Sequence, residues 1–280
     1  MHELSPFDAF KLIETRAPVG GSRLEANARA RFGVAQALAQ GRVGFHYQPV
    51  VQALDPRRPA FFEVLARMTT TSGELLSAQS FLPAVESGPL GRAVDRLALA
   101  HALTVLEANP GLRLSVNMSP LSMGDEEWLA ILASAVRSGS GACGRLILEI
   151  TENAALQDVG QTLDFMNHVR ASGCAFALDD FGAGATGFKY FRDFRFDMVK
   201  IDGSFVEGVA RARDSQVLVE CLGAVARHFD MMTIAEHVSD EADAEWLRGN
   251  GVDCLQGWLY GRPSANPVLA DAADLRRAAN

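Results

Sequence analysis

From Leu112 onward the chain repeats one unit: a short apolar run, a polar residue at its end, then a stretch of helical spacing. Leu112–Ser119 carries Asn117, and Arg145–Thr151 (R-L-I-L-E-I-T) carries Glu149, with Glu152 just beyond. Ala175–Asp180 closes on Asp179 and Asp180, and Met198–Asp202 holds Lys200 and Asp202. Met231–His237 ends near Glu236, and Val252–Tyr260 holds Gln256 and Gly257. Helical spacing falls between these runs, at 125–137, 154–171, 214–228 and 240–249. Two earlier runs, Val43–Val51 and Ala60–Met68, flank a turn-rich stretch and read as a hairpin. Eight strand-like runs alternating with helices over 280 residues point to a (β/α)8 barrel whose opening hairpin is its irregularity. An open doubly wound sheet is the alternative, but no G-x-G-x-x-G follows an early strand.

Around this repeat the remaining segments are brief. Residues 1–22, broken by Pro6, Pro18 and Gly20-Gly21, form an irregular lead-in. Arg23–Gln40, 80–86 and 92–108 have helical spacing, the last with Asp95 in its first turn. The barrel is expected to occupy 23–270, with 271–280 as a tail. A net charge of −8 argues against a nucleic-acid polymer or an anionic membrane as partner. It leaves room for a small phosphorylated substrate, because bound divalent cations reverse a local field. The N-terminus lacks the basic and apolar regions of a signal peptide, and no run is long enough to span a membrane, so a cytoplasmic chain is expected. The four cysteines show no C-x-x-C pairing and read as reduced thiols, Cys174 and Cys254 beside or within apolar runs. The six histidines show no zinc-binding spacing.

The chemistry follows from the polar ends of the runs. In a parallel barrel, working groups come from the C-terminal ends of several strands. Glu63, Asn117, Glu149, Asp179, Asp180, Lys200, Glu236 and Gln256 would then gather at one mouth. Taken alone, Asp179-Asp180 before Gly182 and Gly184 reads first as a strand-to-helix turn with a helix-capping acid. Repetition at run after run favours the shared mouth. So many carboxylates cannot all stay ionised in a cleft without cations. All-oxygen ligands suit Mg²⁺ or Mn²⁺ better than zinc. Two such ions bridged by an acid of the Asp pair would polarise a phosphate and activate a water, which Lys200 would orient.

The same residues carry a resemblance. Y-Q-P (47–49), E-V-L-A-R (63–67), S-V-N-M-S (115–119), E-I-T-E (149–152), L-D-D-F-G (178–182), V-K-I-D (199–202), A-E-H-V (235–238) and Q-G-W-L-Y-G-R-P (256–263) together resemble the EAL-domain family, in family order from about Arg31 to Pro263. That family comprises cyclic di-GMP phosphodiesterases and their non-catalytic receptor relatives. The resemblance implies a modified TIM (β/α)8 barrel with one antiparallel strand near the N-terminus. It also implies Mg²⁺- or Mn²⁺-dependent hydrolysis of cyclic di-GMP to linear pGpG. Glu63, Asn117, Glu149 and Asp179 would hold one metal, and Asp179 with Asp180 a second. Lys200 would stand by the attacking water, Glu236 beside the metals, and Glu152 would steady the loop after the Asp pair. Gln48, Leu65, Arg67, Asp95, Gln256 and Pro263 would meet the substrate. A homodimer and a regulatory protein partner are further implications; Phe188, Tyr190 and Phe191, if exposed, would serve the dimer, with burial against the barrel as the equal alternative.

Three departures bear on turnover. The name motif reads E-V-L, which keeps its acid. The usual A-E-G-V-E is A-E-H-V-S here, so His237 replaces a glycine and Ser239 a glutamate. The loop 182–188 is G-A-G-A-T-G-F, poorer in hydroxyl groups than in relatives. These favour a slow enzyme, with a receptor that signals through a partner as the alternative.

Overall fold

The computed structural model describes residues 23–182 and 192–268. Phe188, Tyr190, Phe191 and most of the altered loop lie outside the described residues. After helix α1 (Arg23–Ala39), strands β1 (Val43–Gln52) and β2 (Pro59–Thr69) pair as the expected antiparallel hairpin, with Gln48 opposite Glu63. A short strand β3 (Leu75–Ser77) folds back onto β2. It follows the turn Thr70–Gly73, in which Gly73 takes φ +87°, a left-handed conformation open to glycine. The remaining elements are α2 (Ala78–Phe81), α3 (Pro89–Ala108), β4 (Leu114–Asn117), α4 (Glu126–Ser138), β5 (Leu146–Thr151), α5 (Glu152–Gln157), α6 (Val159–Arg170) and β6 (Ala175–Phe181). Then come β7 (Met198–Ile201), α7 (Gly203–Val206), α8 (Arg213–His228), β8 (Met232–Ala235), α9 (Glu241–Gly249) and β9 (Cys254–Gln256).

The sheet runs β1-β9-β8-β7-β6-β5-β4-β2-β3, and pairing of β1 with β2 closes it into an eight-stranded barrel with β3 outside. Strand β1 is antiparallel to both its neighbours, and the other barrel pairs are parallel. A short turn can join only antiparallel strands, so the brief link between β1 and β2 forces this reversal. This is the modified barrel that the sequence predicts.

Alternation along the strands divides the core in two. Residues pointing outward, such as Leu148, Phe176, Leu178 and Val199, pack with the helices into the main cluster. Inside the barrel a separate floor is built from Val50, Phe61, Ile147, Ala177, Met198, Ile234 and Cys254. Cys143, Cys174 and Cys254 are buried and Cys221 is exposed, all as free thiols. Burial, with nearby Cys143 and Asp253 respectively, pushes the Cys174 and Cys254 thiols up to about 12. Among the described residues no helix is long and apolar enough to cross a membrane.

Several local expectations are corrected. The helix expected over 80–86 is instead the tail of α2 and a tighter turn at Leu82–Ala84, where Pro83 interrupts the hydrogen bonding. The expected helix over 154–171 is two, because the Asp158 carboxylate accepts from Gln161 N at 2.9 Å and starts a new helix. Helix α3 begins at Pro89, so Asp95 lies beyond the first turn.

Helices α3 and α4 are clamped at the mouth end by Asp125. Its carboxylate caps α4 through Trp128 N at 2.9 Å and accepts from Arg96 Nε and Nη2 at 2.8 and 2.5 Å. Burial alone would raise this carboxyl, but the Arg96 and Trp128 bonds more than offset it and hold it below the usual carboxylate range. A group depressed in the folded state stabilises the protein above its unfolded value and loses that contribution as pH falls through its folded one. Asp125→Asn should therefore cost about 2 kcal/mol at neutral pH. Urea unfolding should show the difference between wild type and variant shrinking below about pH 4; a constant difference down to pH 3 would contradict the clamp.

Candidate active site

Two residues beyond each floor position, the interior of the barrel turns polar. Gln48 on β1, Glu63 on β2, Asn117 on β4, Glu149 on β5, Asp179 on β6, Lys200 on β7, Glu236 just past β8 and Gln256 on β9 form this second ring. On β4 the floor residue is Ser115, buried and with its hydroxyl unpartnered. Each side chain reaches the mouth by the same alternation that buries the floor beneath it.

Lys200 organises the ring. It is 1% exposed, and its Nζ lies 2.7 Å from Glu236 Oε1, 2.8 Å from Glu149 Oε2, 3.2 Å from Asp179 Oδ1 and 3.5 Å from Glu63 Oε2. Burial alone would lower the Lys200 amine, yet the four carboxylates raise it well above its ordinary value. Glu63 is gripped from both sides, by Asn117 Nδ2 at 2.7 Å and Gln256 Nε2 at 2.5 Å. Burial would raise the Glu63 carboxyl, but Lys200 and these two amides hold it below the usual range. Glu149 goes the other way: burial and the neighbouring Glu63 lift its carboxyl well above normal, against Lys200. Burial also pushes Glu236 up to about 8, despite Lys200. Asp180 is raised by burial and by its neighbours Asp179 and Asp202. One lysine does not neutralise five carboxylates.

The adjacent acids both reach the mouth because the backbone bends there. On a regular strand, neighbours point to opposite faces. Asp180 instead takes φ +57°, and the β6–β7 register slips between Leu178 and Phe181, so the pair is presented on one side. Oxygens of Asp179, Asp180 and Glu236 lie within 4.8 Å of one another. Among the described residues, Glu149 Oε1, Asp179 Oδ1 and Gln256 Oε1 are buried without hydrogen-bond partners; the close approach of Lys200 to Asp179 lacks hydrogen-bonding geometry. Orphaned buried oxygens, clustered carboxylates and an absence of His or Cys ligands make a donor set that fits a hard divalent cation.

The other site residues expected from sequence divide into near and remote. Leu65 and Arg67 follow Glu63 on the same face of β2. Gln48 Nε2 donates to Gly261 O at 3.4 Å, and His46 Nδ1 lies 3.4 Å from Pro263 O. Because His46 pairs with Leu65, these contacts bring Pro263 to the β1–β2 rim. Glu152, at the start of α5, accepts from Gly182 N at 3.3 Å, and among the described residues its Oε1 is buried without a partner. Asp95 stands apart from the ring. Its Oδ2 accepts from Ser119 N, Ser119 Oγ and Ser122 Oγ, tying α3 to the segment after β4, and burial raises its carboxyl despite these bonds.

Sequence reasoning missed the nearness of Asp202 to Asp180, which depends on where β6 and β7 exit. It also missed the close packing behind Gly203 and Gly257. A Cβ at Gly257 would fall 2.0 Å from Val238 O, so the β9 exit lies directly against the β8 exit. A single sequence offers no signal for such contacts beyond the glycines themselves.

Comparison with known proteins adds the family. The chain is 30% identical over 244 residues to protein y4lL of Sinorhizobium fredii, covering 86% of this chain and 29% of that protein. It is 28% identical over 261 residues to the cyclic di-GMP phosphodiesterase PdeF of Escherichia coli, covering 90% of this chain and 35% of PdeF. It thus spans about a third of the length of these relatives. The solved structure described as PaMucR phosphodiesterase in complex with c-di-GMP superposes with a TM-score of 0.77 at 28% identity, over 84% of this chain and 97% of that one. The model of the EAL domain matches residues 33–263, from within α1 through the whole barrel. With relatives named as cyclic di-GMP phosphodiesterases and a barrel of the same build, this chain belongs to the EAL domain family.

Proposed function

We propose that this chain hydrolyses cyclic di-GMP to linear pGpG with the help of divalent cations, Mg²⁺ or Mn²⁺. The observation that carries this reading is the excess of buried carboxylates around Lys200, with oxygens left unpaired. Glu63, Asn117, Glu149 and Asp179 would hold one cation, and Asp179 with Asp180 a second, Glu236 standing beside them. Bound there, such ions would polarise the phosphodiester and lower the pKa of a water.

The protein's own groups do the rest. Gln256 and Asn117 fix the orientation of Glu63 by donating to its two oxygens. Lys200, a full cation on the mouth floor, orients the attacking water and stabilises negative charge developing on phosphorus. Arg67 and Gln256 offer donors to the phosphate. Gln48, Leu65, Asp95 and Pro263 shape the approach of the bases. Glu152 holds Gly182 N and so steadies the backbone after the Asp pair. A homodimer and a protein partner accompany this reading through the family resemblance.

One observation favours a receptor instead. Ser239, exposed just before α9, brings no carboxylate to the rim. Product analysis separates the two readings. Purified protein with Mg²⁺ or Mn²⁺ should convert cyclic di-GMP to pGpG, and Glu63→Gln or Lys200→Ala should lower the rate at least about a hundredfold. Tight binding with no product over hours would overturn the enzyme and leave the receptor.

Stability supplies a separate test. Lys200→Met leaves buried acids uncompensated and should cost the chelator-treated protein about 3–5 kcal/mol. Millimolar Mn²⁺ should raise the Tm of this variant more than that of wild type. Equal shifts, or none, would speak against a cation site among these acids.

A further inference from the structure

His237 is the chain's departure beside Glu236, and the backbone there is unusual. It takes φ +56°, a left-handed conformation that is unfavourable for a side-chain-bearing residue and is found where the surroundings impose it. What the ring meets is Gly203, the first residue of α7. A Cβ placed on Gly203 would lie 2.2 Å from His237 Nδ1, 2.4 Å from its Cγ and 2.7 Å from its Cβ. The last distance matters most, because Cβ cannot swing away as a ring end can. Gly203 is buried and has no left-handed φ, so it is glycine for space and not for backbone freedom.

The two residues belong to the two strand exits that carry the central ion pair. Lys200 lies on β7, Asp202 caps α7 through Ser204 N at 3.0 Å, and Gly203 follows. On the neighbouring exit, Glu236 N donates to Ile201 O at 3.2 Å, and Val238 N donates to Gln256 O at 2.9 Å. His237 lies between these two bonds, with its ring against Gly203. Its Nδ1 is 3.6 Å from Glu207 Oε1, but both side chains are about two-thirds exposed, so this pair contributes little. The ring is seated on a residue with no side chain, where the β8 exit meets the β7 exit.

We propose that His237 is a positioning residue for Glu236: its ring, wedged over Gly203, holds the carboxylate of Glu236 on Lys200 and beside Asp179 and Asp180. The inference rests on the cation-dependent reading of the mouth and adds a residue to it. It also makes Gly203 and His237 a matched pair, in which a side chain at either position excludes one at the other.

Four variants test it: Gly203→Ala, His237→Gly, His237→Phe and the double variant His237→Gly/Gly203→Ala. Two readouts apply to each, Tm and Mn²⁺ affinity from the electron paramagnetic resonance of free Mn²⁺. Gly203→Ala should lower both, the affinity by about tenfold, a typical loss when a residue supporting a ligand is disturbed. His237→Gly should keep the wild-type Tm within about 2 °C, since glycine suits the left-handed position, yet still lose about tenfold in affinity. His237→Phe, which keeps a ring, should retain the affinity. In the double variant Tm should recover from its Gly203→Ala value, and the affinity should match that of His237→Gly. A double variant as unstable as Gly203→Ala overturns the wedge. Unchanged Mn²⁺ affinity in His237→Gly, or a loss in His237→Phe equal to that in His237→Gly, overturns the positioning role. If wild type binds no Mn²⁺, the cation reading and the positioning role both fall, while the Tm series still decides the wedge.

Discussion

Everything at the mouth depends on one buried ammonium facing more carboxylates than it can neutralise. Lys200 is sealed by the barrel wall, and four acids approach its Nζ within 3.5 Å. Burying one ion pair costs more in lost hydration than it returns unless further partners complete the shell. Here the shell is overfilled: burial and the neighbouring carboxylates raise the Glu149 and Glu236 carboxyls against the pull of Lys200. A cation of higher charge placed among these acids would offset both their burial and their mutual repulsion. The lysine keeps this crowd folded; the surplus beyond the lysine is where a cation would act.

The barrel makes such crowding attainable through register alone. Interior residues lie opposite one another at β1/β2, β4/β5, β6/β7 and β8/β9, as Asn117 does with Glu149. At the four intervening junctions they are offset by two, as where Glu63 faces Ser115 and Lys200 faces Ile234. All four offsets run the same way round the sheet, and they accumulate to the stagger that tilts eight strands into a closed barrel. The polar ring therefore sits one alternation above an apolar floor on every strand, including β1, which runs in reverse. Gln48 joins the ring two residues before its floor residue Val50, where its neighbours join two residues after theirs.

That regularity explains what the sequence made legible. A run such as R-L-I-L-E-I-T declares its strand, its buried faces and its polar end within seven residues, because alternation is local. The antiparallel hairpin was equally readable, since only a few residues separate β1 from β2. The misreadings occurred where geometry comes from elsewhere in the chain. Strand β3 depends on an edge of β2 left free by the barrel closure, which no local pattern displays. Asp158 splits an expected helix by capping from within a helical pattern. Asp95 lies beyond the first turn of its helix, because Pro89 starts that helix earlier than the local pattern suggests. Asp180 was visible as an acid, while its φ of +57°, which turns it to the same mouth as Asp179, was not.

The departures from the family pattern sit in a different layer from the residues that match it. Glu63, Asn117, Glu149, Asp179, Lys200 and Gln256 lie on strands, where neighbours on both sides fix each backbone, and substitution would strip a charge or amide from a closed hydrogen-bonded set. His237 and Ser239 lie just past β8, where the chain has left the sheet and both residues are exposed. Such a rim can change by paired replacement: a ring gained at 237 is accommodated because position 203 carries no side chain. The consequence is a division of labour. In the proposed reading the strand layer supplies most of the donors, the Asp pair of β6 included, and the rim past β8 positions Glu236 beside that pair.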